Sequence, residues 1–349
     1  MSRAVAGAAA KWNGFRYFRV CIHTTDGPLR PHGHSGIEGS ADGAAFPPQG
    51  AVAQKGVAGM FFRVRSMMVL ALAGLLASPL AADQPTGSDN WWWDDDWWED
   101  GVMYSDLENH EVEIERIEYE RDDVSIPAMV ARPADGEAYP AILWAHGRRG
   151  LDDLAERHVK RLAARGFVVL APDMYTGRFI ETHPLDHDYE LEGDLDRGLD
   201  VLLERDDILG DRACLVSITR GGYKTLKVAV TFERQVDDVA CWAGYYPHLQ
   251  DPNLGEPHQV YRYANEVNEL EIPTMILIGD EEQYQRHRTA RMAADGLESR
   301  GGDVTWIEYP GVGRGFDFRN GNNRTFADDL AARDAMIRVT RFVNQHLRD

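Results

Sequence analysis

The sequence predicts an α/β domain with a mostly parallel, doubly wound sheet and an antiparallel hairpin at its start. Three observations lead to this class. Short apolar runs alternate with amphipathic helical segments from residue 141 onward. These runs show no polar face, which is typical of strands buried between two helical layers. Two segments of period two precede them, as expected for paired antiparallel strands.

The elements follow in order along the chain. EVEIERIEYE and VSIPAMVARP form the predicted hairpin, turned at Asp122 and Asp123. The later strands are AILWA, FVVLAP, ACLVSI, DVACWAG, TMILIG and VTWIEY. The predicted helices cover 151–166, 190–205, 222–233, 285–300 and 324–347. An irregular loop at 172–189 and a long aromatic loop that begins YYPHLQ connect elements near the predicted site.

The chain before this domain reads as separate segments. Residues 1–59 show no period, whereas 60–82 place two arginines before a short apolar run and a small-residue ending. The second pattern is typical of a secretory signal peptide. We therefore expect translation to start at Met60 or Met67, with 1–59 a mis-assigned extension and the mature protein exported to the periplasm. A disordered leader before a membrane anchor is the alternative, but the run is shorter than the ~20 residues of a membrane span.

Residues 83–109 form an acidic tether that contains DNWWWDDDWWEDG at 89–101. Its tryptophans fit no amphipathic period. Either they bury on a protein partner or on the domain itself, or the segment is a solvated tether. The domain proper is expected to span 110–349.

Composition limits the partners. The formal net charge is −20, which argues against nucleic acid or an anionic membrane, because both favour basic surfaces. After signal cleavage we expect no integral membrane protein. In an oxidising space Cys214 and Cys241 are able to pair, but both lie in apolar strands, and we expect buried free thiols.

Four strand ends are expected to converge, because ligands of such sheets bind at the carboxyl ends of the strands. They carry HGRRG (146–150), SITRGG (217–222), GDEEQY (279–284) and EYPGVGRGFDFR (308–319). The second has small, hydroxyl and glycine residues at alternate positions between a strand and a helix. This pattern is typical of a nucleophile elbow centred on Thr219, with an acid and a base expected after later strands.

In these motifs the sequence resembles the dienelactone hydrolase family of α/β-hydrolase fold proteins. The resemblance spans about residues 125–347 and includes PAILWAHG, RLAARGFVVLAPDMYTG, TRGGY, PTMILIGDEE and YPGVGRGFDFR. It implies the α/β-hydrolase fold, hydrolysis of ester bonds, and a triad of Cys or Ser, Asp and His. Carried onto this chain, the triad positions are Thr219, Glu282 and Arg314, and all three depart from the family pattern.

The three departures affect triad catalysis to different degrees. Glu282 is a mild change, since either carboxylate orients an imidazole. Thr219 is more serious, because an elbow residue sits at positive φ, where a β-branched side chain costs on the order of 1–2 kcal/mol or more. Arg314 is decisive, because a guanidinium has no lone pair with which to accept a proton. We therefore expect a catalytically silent protein, a pseudoenzyme.

The altered site is expected to hold a small anionic ligand, with no cofactor and no metal. The candidate oxyanion-hole donors are the backbone N–H groups of Gly147, Arg148 and Arg220. Further candidate ligand contacts are Arg149, Arg178, Tyr175 and Tyr245. HPLDHD at 183–188 matches no strong zinc or calcium spacing and is read as a polar loop.

Two alternatives stay open. In the first, Arg314 forms a bidentate salt bridge with Glu282 that fills an inactive site. In the second, the protein is a working ester or lactone hydrolase that uses Thr219 with a relocated base. The histidines near the site are His146, His183, His187 and His248. Ser217 lies on the other side of its strand by the two-residue period and is read as a packing residue.

Overall fold

The computed structural model describes residues 95–320 and 323–348. Within them, eight strands form one sheet in the order β1-β2-β4-β3-β5-β6-β7-β8. They are β1 (Val112–Arg121), β2 (Val124–Pro133), β3 (Tyr139–Ala145), β4 (Val168–Pro172), β5 (Ile208–Ile218), β6 (Val239–Tyr245), β7 (Thr274–Gly279) and β8 (Val304–Tyr309). β2 pairs antiparallel with β1 and β4, and all other neighbours are parallel. The predicted fold class is confirmed.

Helices connect the parallel strands. They are α1 (Asp95–Trp98), α2 (Asp153–Ala163), α3 (Met174–Gly177), α4 (Glu190–Leu203), α5 (Gly221–Leu226), α6 (Glu256–Tyr261), α7 (Tyr284–Ser299) and α8 (Phe326–Leu347). α5 continues as a π-helical turn over Lys227–Thr231, and single 3-10 turns occupy Asn265–Asn268 and Phe316–Phe318.

The hairpin and the central strands follow from local sequence. Asp122 and Asp123 have φ of 49° and 63°, as a two-residue turn between right-twisted strands requires, and aspartate tolerates this region. β1 lies at the sheet edge and is largely exposed, with charged side chains that discourage pairing with another chain. β6 and β7 are buried along their whole length, which explains their unbroken apolar runs.

The sequence misses the short elements. The loop predicted as irregular at 172–189 contains α3, and the long aromatic loop contains α6 and a 3-10 turn. The helix predicted at 222–233 is an α-helix only to Leu226. Elements of four to six residues are too short to show a period of 3.6, so periodicity does not reveal them.

The expectation of free thiols is wrong. Cys214 and Cys241 form a disulfide with their Cα atoms 4.7 Å apart. The two residues are direct partners in the parallel register of β5 and β6. Sequence alone identifies both strands but not their register, and only the register brings the two sulfur atoms together.

The described end of the tryptophan-rich segment packs on the domain. Trp97 and Trp98 are 0% and 2% exposed. The Arg161 guanidinium lies 4.5 Å and 4.7 Å from the centres of their rings, and Arg324 lies 4.4 Å from the Trp98 ring. Of the alternatives for this segment, burial on the domain itself holds for these two tryptophans.

Three of the predicted segments lie wholly or partly outside the residues that the structure describes. The extension at 1–59, the signal peptide at 60–82 and the tether up to residue 94 lie outside the described residues. Within the described ranges, no helix is long and apolar enough to cross a bilayer.

Candidate functional site

Thr219 follows β5 at a sharp turn into α5. Its φ is +45°, the left-handed conformation of an elbow. The turn depends on small neighbours, since a Cβ on Gly221 would lie 2.3 Å from the Ala145 carbonyl oxygen and one on Gly147 would lie 1.8 Å from Thr219 Oγ1. The Thr219 hydroxyl therefore lies directly over the backbone of Gly147, in the loop after β3.

The predicted oxyanion-hole residues lie around this hydroxyl. Gly147 and Arg148 line a cavity together with Thr219, and Arg220 is the N-cap of α5 with φ of −60°. Among the described residues, the backbone N–H groups of Arg148 and Arg220 donate to no backbone oxygen. These two N–H groups are candidate donors to a bound molecule.

Glu282 and Arg314 form a bidentate ion pair. Arg314 Nε donates to Glu282 Oε2 at 3.1 Å, and its Nη2 donates to Oε1 at 2.8 Å. The Glu282 side chain is 1% exposed, against 28% for Arg314. Glu282 follows β7 and Arg314 follows β8, so the acid and base positions assigned from the resemblance meet at the predicted sheet edge. The contact has the geometry of the alternative in which this salt bridge fills an inactive site.

The pair does not fill the site. A cavity of about 280 Å³ remains over Thr219, near the lower end of the ~300–1,000 Å³ of small-molecule pockets. Among the described residues that line it, none is a carboxylate. The lining comprises Gly147, Arg148, Arg149, His183, Ile218, Thr219, Tyr246, His248, Arg314, Gly315, Phe318 and Arg319.

His248 is an unusual member of this lining. It is 3% exposed, its backbone N–H donates to the Thr219 carbonyl at 2.8 Å, and neither ring nitrogen has a hydrogen-bond partner in the described part of the chain. Burial, followed by the charges of Arg286, Arg314, Arg220 and Arg148, lowers the pKa of His248 well below its usual value. The ring is therefore neutral at physiological pH.

Several candidate ligand contacts do not reach the cavity. Arg178 donates to both oxygens of Asp194 and is not among the residues that line the cavity. Tyr175 lies below Lys224, and Tyr245 is 1% exposed; neither lines the cavity. Tyr175 lies in α3 and Tyr245 is the last residue of β6; both side chains are buried in the core, which the sequence pattern alone does not reveal. Arg149 does line the cavity, although it pairs with Asp152.

The other histidines have structural partners or lie at the rim. His146 is buried with Nδ1 2.8 Å from the Gly147 carbonyl oxygen, and His187 Nε2 lies 3.1 Å from Glu192 Oε1. His183, at φ of 63°, is exposed and lines the cavity. Within the described residues, no three His, Cys, Asp or Glu side chains converge as metal ligands.

Ser217 is buried beneath the elbow. The Trp242 indole N–H donates to its Oγ at 2.9 Å, which agrees with a packing role. Sequence reasoning missed Tyr246, Phe318 and Arg319 in the lining. Tyr246 directly follows β6, and Phe318 and Arg319 end the loop EYPGVGRGFDFR that the sequence had singled out, so their place in these loops was the available signal.

Comparison with known proteins identifies the family of this chain. The dienelactone hydrolase family model matches residues 126–347, which is more than half of the chain. This chain belongs to the dienelactone hydrolase family. A search of curated proteins gave no match.

Solved structures show the same α/β-hydrolase fold. A putative dienelactone hydrolase from Klebsiella pneumoniae is 17% identical with a TM-score of 0.53, covering 68% of this chain and all of that one. A dienelactone hydrolase-like promiscuous phosphotriesterase from metagenomic libraries is 14% identical, with a TM-score of 0.51 and coverage of 66% and 98%. A fungal esterase from Rhizomucor miehei is 13% identical, with a TM-score of 0.52 and coverage of 73% and 90%. At these identities the likeness concerns the fold alone.

Proposed function

We propose that this dienelactone hydrolase family member binds a small anionic molecule over Thr219 and does not cut it through a nucleophile–histidine–acid triad. The observation that carries the proposal is the bidentate contact of Arg314 with Glu282. It places a permanent cation where the resemblance puts a base, and it occupies the carboxylate that would orient that base. Loss of the base in a hydroxyl-nucleophile triad costs on the order of 10⁶ in turnover.

The affinity for anions rests on the charge of the cavity. Four of its lining residues are arginines and, in the described lining, none is acidic, although the chain as a whole carries a net charge of −20. Three of the four are paired with carboxylates outside the lining, whereas Arg148 is in none of the described ion pairs. Because charges in a partly enclosed cavity are weakly screened, its positive charge favours an anion. The Thr219 hydroxyl and the two unengaged backbone N–H groups supply directional hydrogen bonds.

Relocated catalysis is a second candidate, and His248 favours it. Its ring is neutral and lines the same cavity as Thr219, so its lone pair is available to accept a proton. Against it, the ring makes no hydrogen bond to the Thr219 hydroxyl in the described structure. We therefore rank it below anion binding.

Export is part of the proposal. The buried disulfide between Cys214 and Cys241 supports it, because disulfides persist mainly in oxidising compartments. The mature chain is then expected to begin after the segment 60–82. Amino-terminal sequencing of the secreted protein tests this, and a mature chain that begins before Met60 contradicts it.

An aryl-ester assay tests the catalytic part. We expect wild-type protein and Thr219→Ala to give the same background rate, and the double variant Thr219→Ser/Arg314→His to gain activity over both, because the scaffold of the elbow is present. Turnover in the wild type that disappears in both Thr219→Ala and His248→Gln would overturn the proposal in favour of relocated catalysis.

A further inference from the structure

Three guanidinium groups near the cavity are held by neutral oxygen atoms. Arg148 donates to the backbone oxygens of His183 and Pro184 at 2.7 Å and 2.9 Å. Arg220 donates to the backbone oxygens of Pro184, Leu185 and Asp186, and Arg286 donates to the side-chain oxygens of Gln250 and Gln259. These hydrogen bonds fix the positions of the cations without neutralising their charge.

All three cations act electrostatically on the ring of His248. Together with Arg314, they are the four charges that disfavour protonation of His248. Of the four, Arg314 is paired with Glu282, whereas among the described ion pairs Arg148, Arg220 and Arg286 have no carboxylate partner; Glu282 also acts on Arg286, and the exposed Asp186 acts on Arg220. The three guanidinium groups without a carboxylate partner therefore leave positive charge beside the cavity that is only partly offset.

The two other arginines that line the cavity, Arg149 and Arg319, are already paired. Arg149 contacts Asp152, and Arg319 lies 3.8 Å from Asp328. They line the cavity but do not add to this positive charge. The charge that is only partly offset therefore lies on the side of Arg148, Arg220 and Arg286, close to the Thr219 elbow.

Several hydrogen-bonding groups lie in or beside the cavity. They are the Thr219 hydroxyl, the backbone N–H groups of Arg148 and Arg220, and the buried, unpartnered ring of His248. A planar carboxylate has two oxygens to offer such a set. A tetrahedral oxyanion presents more oxygens in more directions, so it can partner more of these groups, and a buried polar group left without a partner is destabilising.

We infer that the ligand is a doubly charged tetrahedral oxyanion, inorganic phosphate or the phosphoryl group of a small phosphate monoester. This inference rests on the proposed anion-binding function and specifies its ligand class. Arg148 lines the cavity and contacts the ligand. Arg220 and Arg286 are not in the described lining and stabilise the ligand through their charge alone. The cavity of about 280 Å³ leaves room for a small organic group on the phosphoryl oxygen.

Isothermal titration calorimetry at pH 7.5 and constant ionic strength tests this with four probes: inorganic phosphate, methyl phosphate, malonate and acetate. We expect both phosphates to bind at least tenfold more tightly than acetate, and more tightly than malonate, which matches their charge but not their shape. Methyl phosphate tighter than phosphate identifies a monoester as the preferred source, and the reverse identifies the free ion.

Matched variants locate the site. Arg148→Gln is expected to weaken phosphate binding at least tenfold, whereas Arg116→Gln, which removes the same charge from the edge strand β1, leaves it unchanged. Arg286→Gln keeps the contacts of Arg148 with the 183–184 loop and is expected to weaken binding by about threefold to tenfold, even if Arg148→Gln does not fold.

The outcomes separate the two proposals. If acetate or malonate binds as tightly as phosphate, or if Arg148→Gln and Arg286→Gln both leave phosphate binding unchanged, the inference fails while anion binding stands. If none of the four anions binds, the proposed function itself fails.

Discussion

At the scale of single residues, Thr219 shows that the elbow is retained at a cost. A β-branched residue at φ of +45° is strained by about 1–2 kcal/mol. The turn from β5 into α5 is possible because Gly221 and Gly147 lack the Cβ atoms that would clash with the Ala145 carbonyl and the Thr219 hydroxyl. An elbow conformation at Thr219 thus persists in a chain whose Arg314 occupies the position that the resemblance assigns to the base.

Replacing Thr219 by glycine should therefore stabilise the protein. Glycine adopts positive φ without strain, and the side chain removed faces a cavity, so we expect the free energy of unfolding to rise by roughly 0.5–1 kcal/mol. The control is Thr274→Gly in β7, where the side chain is 1% exposed and the backbone is ordinary strand. Urea denaturation should show loss of stability there, and a loss at both positions contradicts the strain argument.

At the scale of elements, hydrogen bonds from one side chain connect α1 to the loop that carries Arg314. Arg161 of α2 is 2% exposed and donates both to the Trp98 carbonyl oxygen and to the Asp317 carbonyl oxygen. Burial, followed by the charge of Arg157, lowers the pKa of Arg161 to about 9. The faces of Trp97 and Trp98 stabilise this buried cation. The tryptophan pair and the loop at 310–319 are thereby linked through one side chain.

The variant Trp98→Ala should destabilise both α1 and the loop at 310–319. Loss of a buried indole costs about 3–5 kcal/mol, and we expect faster hydrogen exchange at residues 311–319 in addition to lower stability. Trp306→Ala is the matched control, because Trp306 is half-buried on the edge strand β8 and does not contact Arg161. Hydrogen-exchange mass spectrometry with equal exchange of the loop in both variants would refute the link.

At the scale of the whole molecule, four buried histidines make stability depend on pH. Burial lowers the pKa of His158 and His187 to about 3, and it lowers the pKa of His146 and His248 well below the usual value. Unfolding frees all four to take up protons below their ordinary pKa of about 6.5. This stability is present above about pH 6.5 and is lost as the pH falls.

Two buried acids act in the opposite direction. Burial raises the pKa of Glu192 and of Asp317 to about 7, so each releases a proton on unfolding between about pH 4 and 7. Four protons taken up against two released leave a net uptake of about two. We therefore predict that the free energy of unfolding falls between pH 6.5 and 4.5, by up to about 2.7 kcal/mol per pH unit. Urea denaturation across this range measures the slope, and a rise in stability on acidification contradicts it.

The sequence predicted the parts of the fold that local pattern determines. Strands with continuous apolar runs, the hairpin turned at Asp122, and the strand ends that carry Thr219, Glu282 and Arg314 follow from periodicity and turn chemistry. The disulfide, the direction of Arg178 and Tyr245, and the place of Arg286 depend on register and on packing between distant segments. Those contacts are set by the assembled core, and no local pattern reports them.

The most direct test of the central claim is covalent labelling of the elbow with a fluorophosphonate, which reacts with activated hydroxyl nucleophiles. Peptide mass spectrometry of the wild-type protein should show no adduct on Thr219, because Arg314 and Glu282 are paired and no base contacts the hydroxyl. The variant Thr219→Ser/Arg314→His provides the positive comparison. An adduct on Thr219 of the wild type would contradict the account.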